Sequence, residues 1–146
     1  MDTNIYAKLR AGITTATADE TQKVAEEFAK ALPLDVTLAL HGDLGVGKTT
    51  FVQGLARGFE IVESITSPTF NLYSIHRGPA RLLVHLDAYR IENARQVEDL
   101  LLEDFLTTPW CLAIEWPEKI AAWLPTNALH LTLGISADQR HTLKLT

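Results

Sequence analysis

Gly42-Asp43-Leu44-Gly45-Val46-Gly47-Lys48-Thr49 fits the pattern G-x-x-x-x-G-K-[ST] at every position. Residue types in this order suit a polyphosphate. Successive backbone N–H groups must converge on phosphate oxygens, in conformations that glycine reaches at least cost. A helix starting at the end of the loop would point its free N–H groups and its positive dipole end at the same anion. Lys48 would set a full charge against the β- and γ-phosphates, and the Thr49 hydroxyl would ligate Mg²⁺. At ordinary residue frequencies, chance produces such an octet in roughly one chain of this length in two hundred. The setting therefore carries the argument. The octet follows Val36-Thr37-Leu38-Ala39-Leu40, the continuous apolar run of a strand buried on both faces, and precedes Phe51, Val52, Leu55 and Ala56 at helical spacing, with Gly58 as a stop.

A phosphate loop alone does not separate ATPases, GTPases and small-molecule kinases. No Asp-x-x-Gly switch with an Asn-Lys-x-Asp guanine reader is present, and the seven arginines are scattered rather than gathered as a kinase lid. A second carboxylate is expected at a strand end, where it can hold Mg²⁺ directly or through water. Two positions qualify: Asp87 after Leu82-Leu83-Val84-His85-Leu86, and Glu115 after Cys111-Leu112-Ala113-Ile114.

The elements that must position these groups are legible around them. Thr17 and Glu20 form a capping-box spacing before Val24, Ala25, Phe28, Ala31 and Leu32, which predicts a helix ending at Pro33. Phe70 to Ile75 reads as a strand. Arg77-Gly78-Pro79 reads as a turn into a second strand over Arg81 to Leu86, so the two should pair antiparallel. A helix is expected from Asn93 to Phe105 with Val97, Leu100 and Leu101 inward. Trp110 to Ile114 should be a buried strand ending on Glu115, and Glu118 to Leu124 a short helix after Pro117. Ala128 to Leu133 and His141 to Leu145 should be strands about a polar turn. The pattern is α/β with a partly antiparallel sheet, in one domain over residues 1–146.

The 13 Lys and Arg against 18 Asp and Glu leave a net charge of −5 with no basic run, which argues against direct, strong nucleic-acid binding. No apolar run spans a bilayer, and the N-terminal residues lack the regions of a secretory signal. A lone Cys111 suits a reducing compartment, so the cytoplasm is the expected setting. His41, His76, His85, His130 and His141 show no metal-ligand spacing. His85 is expected to orient Asp87 or to pack, and Trp110 and Trp123 to be core or partner-facing. Glu98, Asp99, Glu103 and Asp104 read as a solvated face.

Ser67-Pro68-Thr69-Phe70, His85-Leu86-Asp87-Ala88-Tyr89-Arg90 and Glu115-Trp116-Pro117-Glu118 follow the loop in that order. Together with Gly42 to Phe51, they resemble the TsaE (YjeE) family, the bacterial ATPases of tRNA threonylcarbamoyladenosine biosynthesis. The likeness runs from the helix after Thr17 to the last strand. It implies a three-layer P-loop NTPase-type fold with a mixed parallel/antiparallel sheet, and ATP hydrolysis with Mg²⁺. It also implies work beside the two paralogous threonylcarbamoyl-transfer subunits (TsaB and TsaD type) on adenosine 37 of tRNAs reading ANN codons, the tRNA being met only through the complex. By the same resemblance, the residues from Gly42 to Thr50 hold the nucleotide with Trp116 beside it. Thr49 and Glu115 are the Mg²⁺ ligands, and Lys48, Asp87 and Thr69 are catalytic, Asp87 positioning water or metal. Ser67-Pro68-Thr69 is a switch-like loop that brings Thr69 near the γ-phosphate, and the turn at Gln139-Arg140 approaches the base. The family often carries alanine in place of Val46 and a Phe or Leu pair where Leu86 and Ala88 flank Asp87; neither departure removes a polar group. Two other functions fit a bare phosphate loop: a small metabolite kinase, and a nucleotide-gated structural module.

Overall fold

Val36–Leu40, Leu82–Leu86 and Cys111–Glu115 are buried without a break, so they must lie in the middle of a sheet covered on both faces. The structure is a computed structural model that describes residues 3–68 and 72–146. In chain order its elements are α1 (Thr3–Ala11), β1 (Ile13–Thr15), α2 (Ala18–Ala31), β2 (Val36–His41), α3 (Lys48–Gly58), β3 (Tyr73–Arg77), β4 (Leu82–Asp87), α4 (Ala94–Glu98), β5 (Trp110–Glu115), β6 (Leu129–Ile135) and β7 (His141–Leu145). Short 3₁₀ turns cover Leu102–Asp104 and Pro117–Trp123.

The seven strands run in the order β1-β7-β6-β2-β5-β4-β3. The inner pairs β6–β2, β2–β5 and β5–β4 are parallel, and the outer pairs β1–β7, β7–β6 and β4–β3 are antiparallel. Alternate residues of the inner strands supply two separate cores. Leu38, Leu40, Leu83, Cys111 and Ala113 face α1, α2 and α3, where Phe28, Phe51 and Leu55 are fully buried. Val84, Leu86, Leu112 and Ile114 face the other side, covered by Ile91, Val97, Leu102 and Ile120. This is the expected three-layer arrangement with a mixed sheet. Burial pushes the Cys111 thiol up to about 12, so it behaves as a small hydrophobe.

α3 must lie close on α2 to bring the phosphate loop over the sheet. A Cβ on Gly54 would stand 2.4 Å from the Gln22 carbonyl and 2.6 Å from the Ala25 Cβ, so only glycine allows this approach. At the head of α2 the Glu20 N–H donates to Thr17 Oγ1 (3.1 Å), while Glu20 Oε1 accepts from the Ala16 N–H (2.8 Å), one residue before the cap.

Several boundaries differ from expectation. The helix foreseen over Asn93–Phe105 stops at Glu98, and Leu101 points outward, 56% exposed, with left-handed backbone (φ 52°). Val97 and Leu102 are the residues that reach the core, and a spacing of five cannot share one face of a regular helix, so the chain unwinds between them. The segment after Pro117 is 3₁₀ over Pro117–Trp123, broken at Ile120. β3 runs later than foreseen, from Tyr73, and Phe70 lies outside the described residues; its antiparallel pairing with β4 is as expected. α1 and β1 were not foreseen, because a nine-residue helix without an acidic first turn and a three-residue edge strand leave little periodicity to read. Among the described residues no helix is long and apolar enough to cross a membrane.

Candidate functional site

Parallel strands end together, so the carboxyl ends of β2, β5 and β4 bring the loop after His41, Glu115 and Asp87 to one edge of the sheet. There a cleft of about 440 Å³ is lined among others by Gly45, Gly47, Lys48, Thr49, Ser67, Asp87, Tyr89, Arg90, Glu115 and Trp116. Gly42 opens the loop at φ 145°, where a Cβ would meet the Leu133 carbonyl at 2.5 Å and Val46 at 2.7 Å; the loop can lie against β6 only because that atom is missing. Gly47 caps α3 in the left-handed region. Val46 turns its side chain into the core, anchoring the loop from below.

Lys48 starts α3 and is 4% exposed. Its ammonium donates to the Gly42 carbonyl (2.5 Å) and lies 3.6 Å from the centre of the Trp116 ring. Burial pulls its pKa below the ordinary lysine value, opposed by the carboxylates of Glu115, Glu118, Asp87 and Asp43. Trp116 holds left-handed backbone (φ 60°, ψ 49°), an uncommon state for a bulky residue, and this conformation accompanies a ring laid over Lys48 and against Tyr89, 5.0 Å away.

Glu115 and Asp87 are directly opposed across the β4–β5 ladder. Glu115 is 4% exposed, and its Oε2 accepts from Thr49 Oγ1 (3.0 Å) and bonds His85 Nε2 (2.6 Å). Burial alone would raise the Glu115 carboxyl. The bonds from His85 and Thr49, with the charge of Lys48, outweigh it and hold the group below the usual glutamate value. Asp87 is more open, and its Oδ1 accepts from the Tyr89 N–H (3.0 Å). His85 therefore bonds Glu115 rather than Asp87. It shares a strand face with Asp87, and its long ring reaches diagonally across to the neighbouring strand. A hydroxyl and a carboxylate converging beside a lysine are the hard oxygen donors that Mg²⁺ takes in small number, with phosphates completing the shell. Among the described residues there is no group of three His, Cys, Asp or Glu that could hold a metal.

The structure thus gathers Lys48, Thr49, Thr50, Asp87, Glu115 and Trp116 in one cleft with Leu44, Gly45 and Gly47. Gly42, Asp43 and Val46 shape the loop from behind: the Asp43 carbonyl accepts from the Val46 N–H, and Gly42 holds Lys48. Thr69 lies outside the described residues. Ser67 bonds Thr49 (2.9 Å), and the segment leading to it is tied down by Gln53 Nε2 to the Ile65 carbonyl and by Glu63 to His76. Gln139 and Arg140 occupy the exposed β6–β7 turn and are not among the cleft's lining residues.

Three contributions escaped the sequence reading. Tyr89 and Arg90 line the cleft. His141 bonds the Val46 carbonyl through Nδ1 (3.2 Å), bracing the loop from β7. His41 and His130 meet at 2.8 Å beside the loop; burial first, then His130 and Lys48, hold the His41 ring below its ordinary pKa against the pull of Glu118. For the histidines, sequence separation hid partners that the order β2-β6-β7 brings together. Tyr89 and Arg90 stood in a quoted motif, the one signal that pointed to them.

A family model described as "Threonylcarbamoyl adenosine biosynthesis protein TsaE" matches residues 15–143. A Bacillus subtilis protein named tRNA threonylcarbamoyladenosine biosynthesis protein TsaE is 35% identical over 133 residues, covering 90% of this chain and 82% of the relative. One of the same name from Rickettsia bellii is 36% identical over 129 residues, covering 88% and 89%. The crystal structure of Bacillus subtilis YdiB superposes with a TM-score of 0.76 at 29% identity, covering 92% of this chain and 82% of that one. With the motifs in order and the fold shared along almost the whole length, the chain belongs to the TsaE family.

Proposed function

We propose that this protein binds and hydrolyses Mg-ATP as a cytoplasmic subunit of the machinery that threonylcarbamoylates adenosine 37 of tRNAs reading ANN codons, acting with the TsaB- and TsaD-type transfer subunits. The observation that carries this reading is the convergence of Lys48, Thr49 and Glu115 at the carboxyl edge of the sheet, in a chain of this family. The loop N–H groups and Lys48 would bind the phosphates, Thr49 and Glu115 would hold Mg²⁺, and Asp87 would orient the attacking water. The cation would supply charge neutralisation on the β- and γ-oxygens. Trp116 would stand beside the bound nucleotide.

A net charge of −5 and the lack of a basic run leave tRNA recognition to the partners. An ATPase of this design stays slow until a partner orders its switch segment, here the loop containing Ser67, Pro68 and Thr69. The expected result is weak ATP turnover by the isolated chain and clear stimulation by the two transfer subunits. Binding to them should strengthen with ATP, since coupling between nucleotide and partner is reciprocal. Turnover assays and size-exclusion runs, each with and without the partners and nucleotide, test this. Equal turnover in both settings with no co-elution would refute the assembly role, and a phosphorylated metabolite would point to a kinase instead.

The cation–π contact of Trp116 with Lys48 supports a second expectation. Mg-ATP draws the lysine toward phosphate, so it should change the tryptophan emission, and Trp116→Phe should remove most of that change. A full signal in the variant would assign it to Trp110 or Trp123.

A further inference from the structure

His85 is fully buried, and of its two ring nitrogens only one has a partner: Nε2 lies 2.6 Å from Glu115 Oε2, while Nδ1 has none among the described residues. A buried polar atom without a partner is a cost to the fold, and an apolar side chain of the same size at this position would avoid it. What an apolar replacement cannot supply is the bond to Glu115. The sheet register explains why the bond needs this residue. Opposite His85 stands Ala113, whose methyl group leaves room for an imidazole to lean toward the strand end. Opposite Glu115 stands Asp87, so the two adjacent strands end on carboxylates in register. His85 and Thr49 both bond Oε2, and two donors on one oxygen fix the rotation of the carboxylate that a single donor would leave free.

We infer that His85 is a positioning residue that holds Glu115 in its cation-binding orientation, acting from behind the carboxylate without touching nucleotide or metal. The inference rests on the proposed Mg-ATP site. Hydrogen-bonded partners that orient a metal-binding carboxylate govern affinity for the cation more than fold stability. His85→Phe should therefore raise the Mg²⁺ concentration for half-maximal ATP binding by about 10-fold or more, while ATP binding in EDTA stays within about twofold and the unfolding temperature is maintained. His85→Gln places an amide N–H where Nε2 stood and should restore the Mg²⁺ dependence; His85→Asn is too short and should not.

The experiment is a titration of Mg²⁺ against a fluorescent ATP analogue bound to the wild-type chain and the three variants, with thermal unfolding of each. A Mg²⁺ midpoint unchanged in folded His85→Phe would overturn the inference and leave the ATP site standing. Should His85→Phe fail to fold, equal midpoints in the Gln and Asn variants would overturn it. Loss of metal-free and metal-dependent binding alike would mean that His85 only packs. A wild-type chain with no Mg²⁺-dependent ATP binding would remove the underlying site, and this inference with it.

Discussion

Lys48→Ala should weaken ATP binding about 10- to 150-fold, the equivalent of a charge-assisted contact of about 1.5–3 kcal/mol. Turnover should fall further, by about another 10²–10³, because the charge on the phosphate oxygens grows in the transition state where Lys48 would meet it. The structure adds a second reason for a large effect. Lys48 is the cation on which Glu115, Glu118, Asp87 and Asp43 all act, so its removal leaves a cluster of negative groups facing an anionic ligand. Binding and single-turnover measurements on wild type and variant separate the two losses, and thermal unfolding checks the fold. Unchanged turnover in a folded variant would sink the assignment of the loop.

Glu115→Gln and Asp87→Asn should fail in different ways, although the two residues oppose each other on adjacent strands. The amide at position 115 can keep bonds to Thr49 and His85, so this change isolates the charge. It should raise the Mg²⁺ needed for ATP binding by at least about 10-fold. Asp87 lines the cleft and its Oδ1 accepts from the Tyr89 N–H; in the proposed site its carboxylate would orient the attacking water. Asp87→Asn should leave ATP affinity near wild type and slow hydrolysis by about 10²–10⁴. Mg²⁺ titrations of ATP binding beside turnover at saturating Mg-ATP distinguish the two patterns. The reverse pattern would exchange the roles of the two carboxylates.

The elements legible in sequence were those whose signal is local. An apolar run such as Val36 to Leu40 can satisfy its burial only in the middle of a covered sheet. The Thr17 cap and Pro33 bracket a helix by their own backbone chemistry. The octet from Gly42 to Thr49 carries its loop in its glycines, and Asp87 and Glu115 declare themselves as polar ends of apolar strands. The helix foreseen over Asn93–Phe105 failed for the complementary reason: which of Leu100, Leu101 and Leu102 turns inward depends on the sheet face it must cover.

The phosphate-loop pattern and the two strand-end carboxylates were thus legible in residue type and spacing alone. Which groups stand around them was decided only by the strand order, because contacts between β4 and β5, or between β2, β6 and β7, join residues far apart in the chain. Register across β4 and β5 sets Asp87 against Glu115 and sends His85 diagonally to the latter, where a reading of β4 alone points it at its own strand neighbour. The same topology brings His141 under the loop and His130 against His41. Periodicity along one strand says which face a side chain takes; the pairing of strands says whose atoms it meets there.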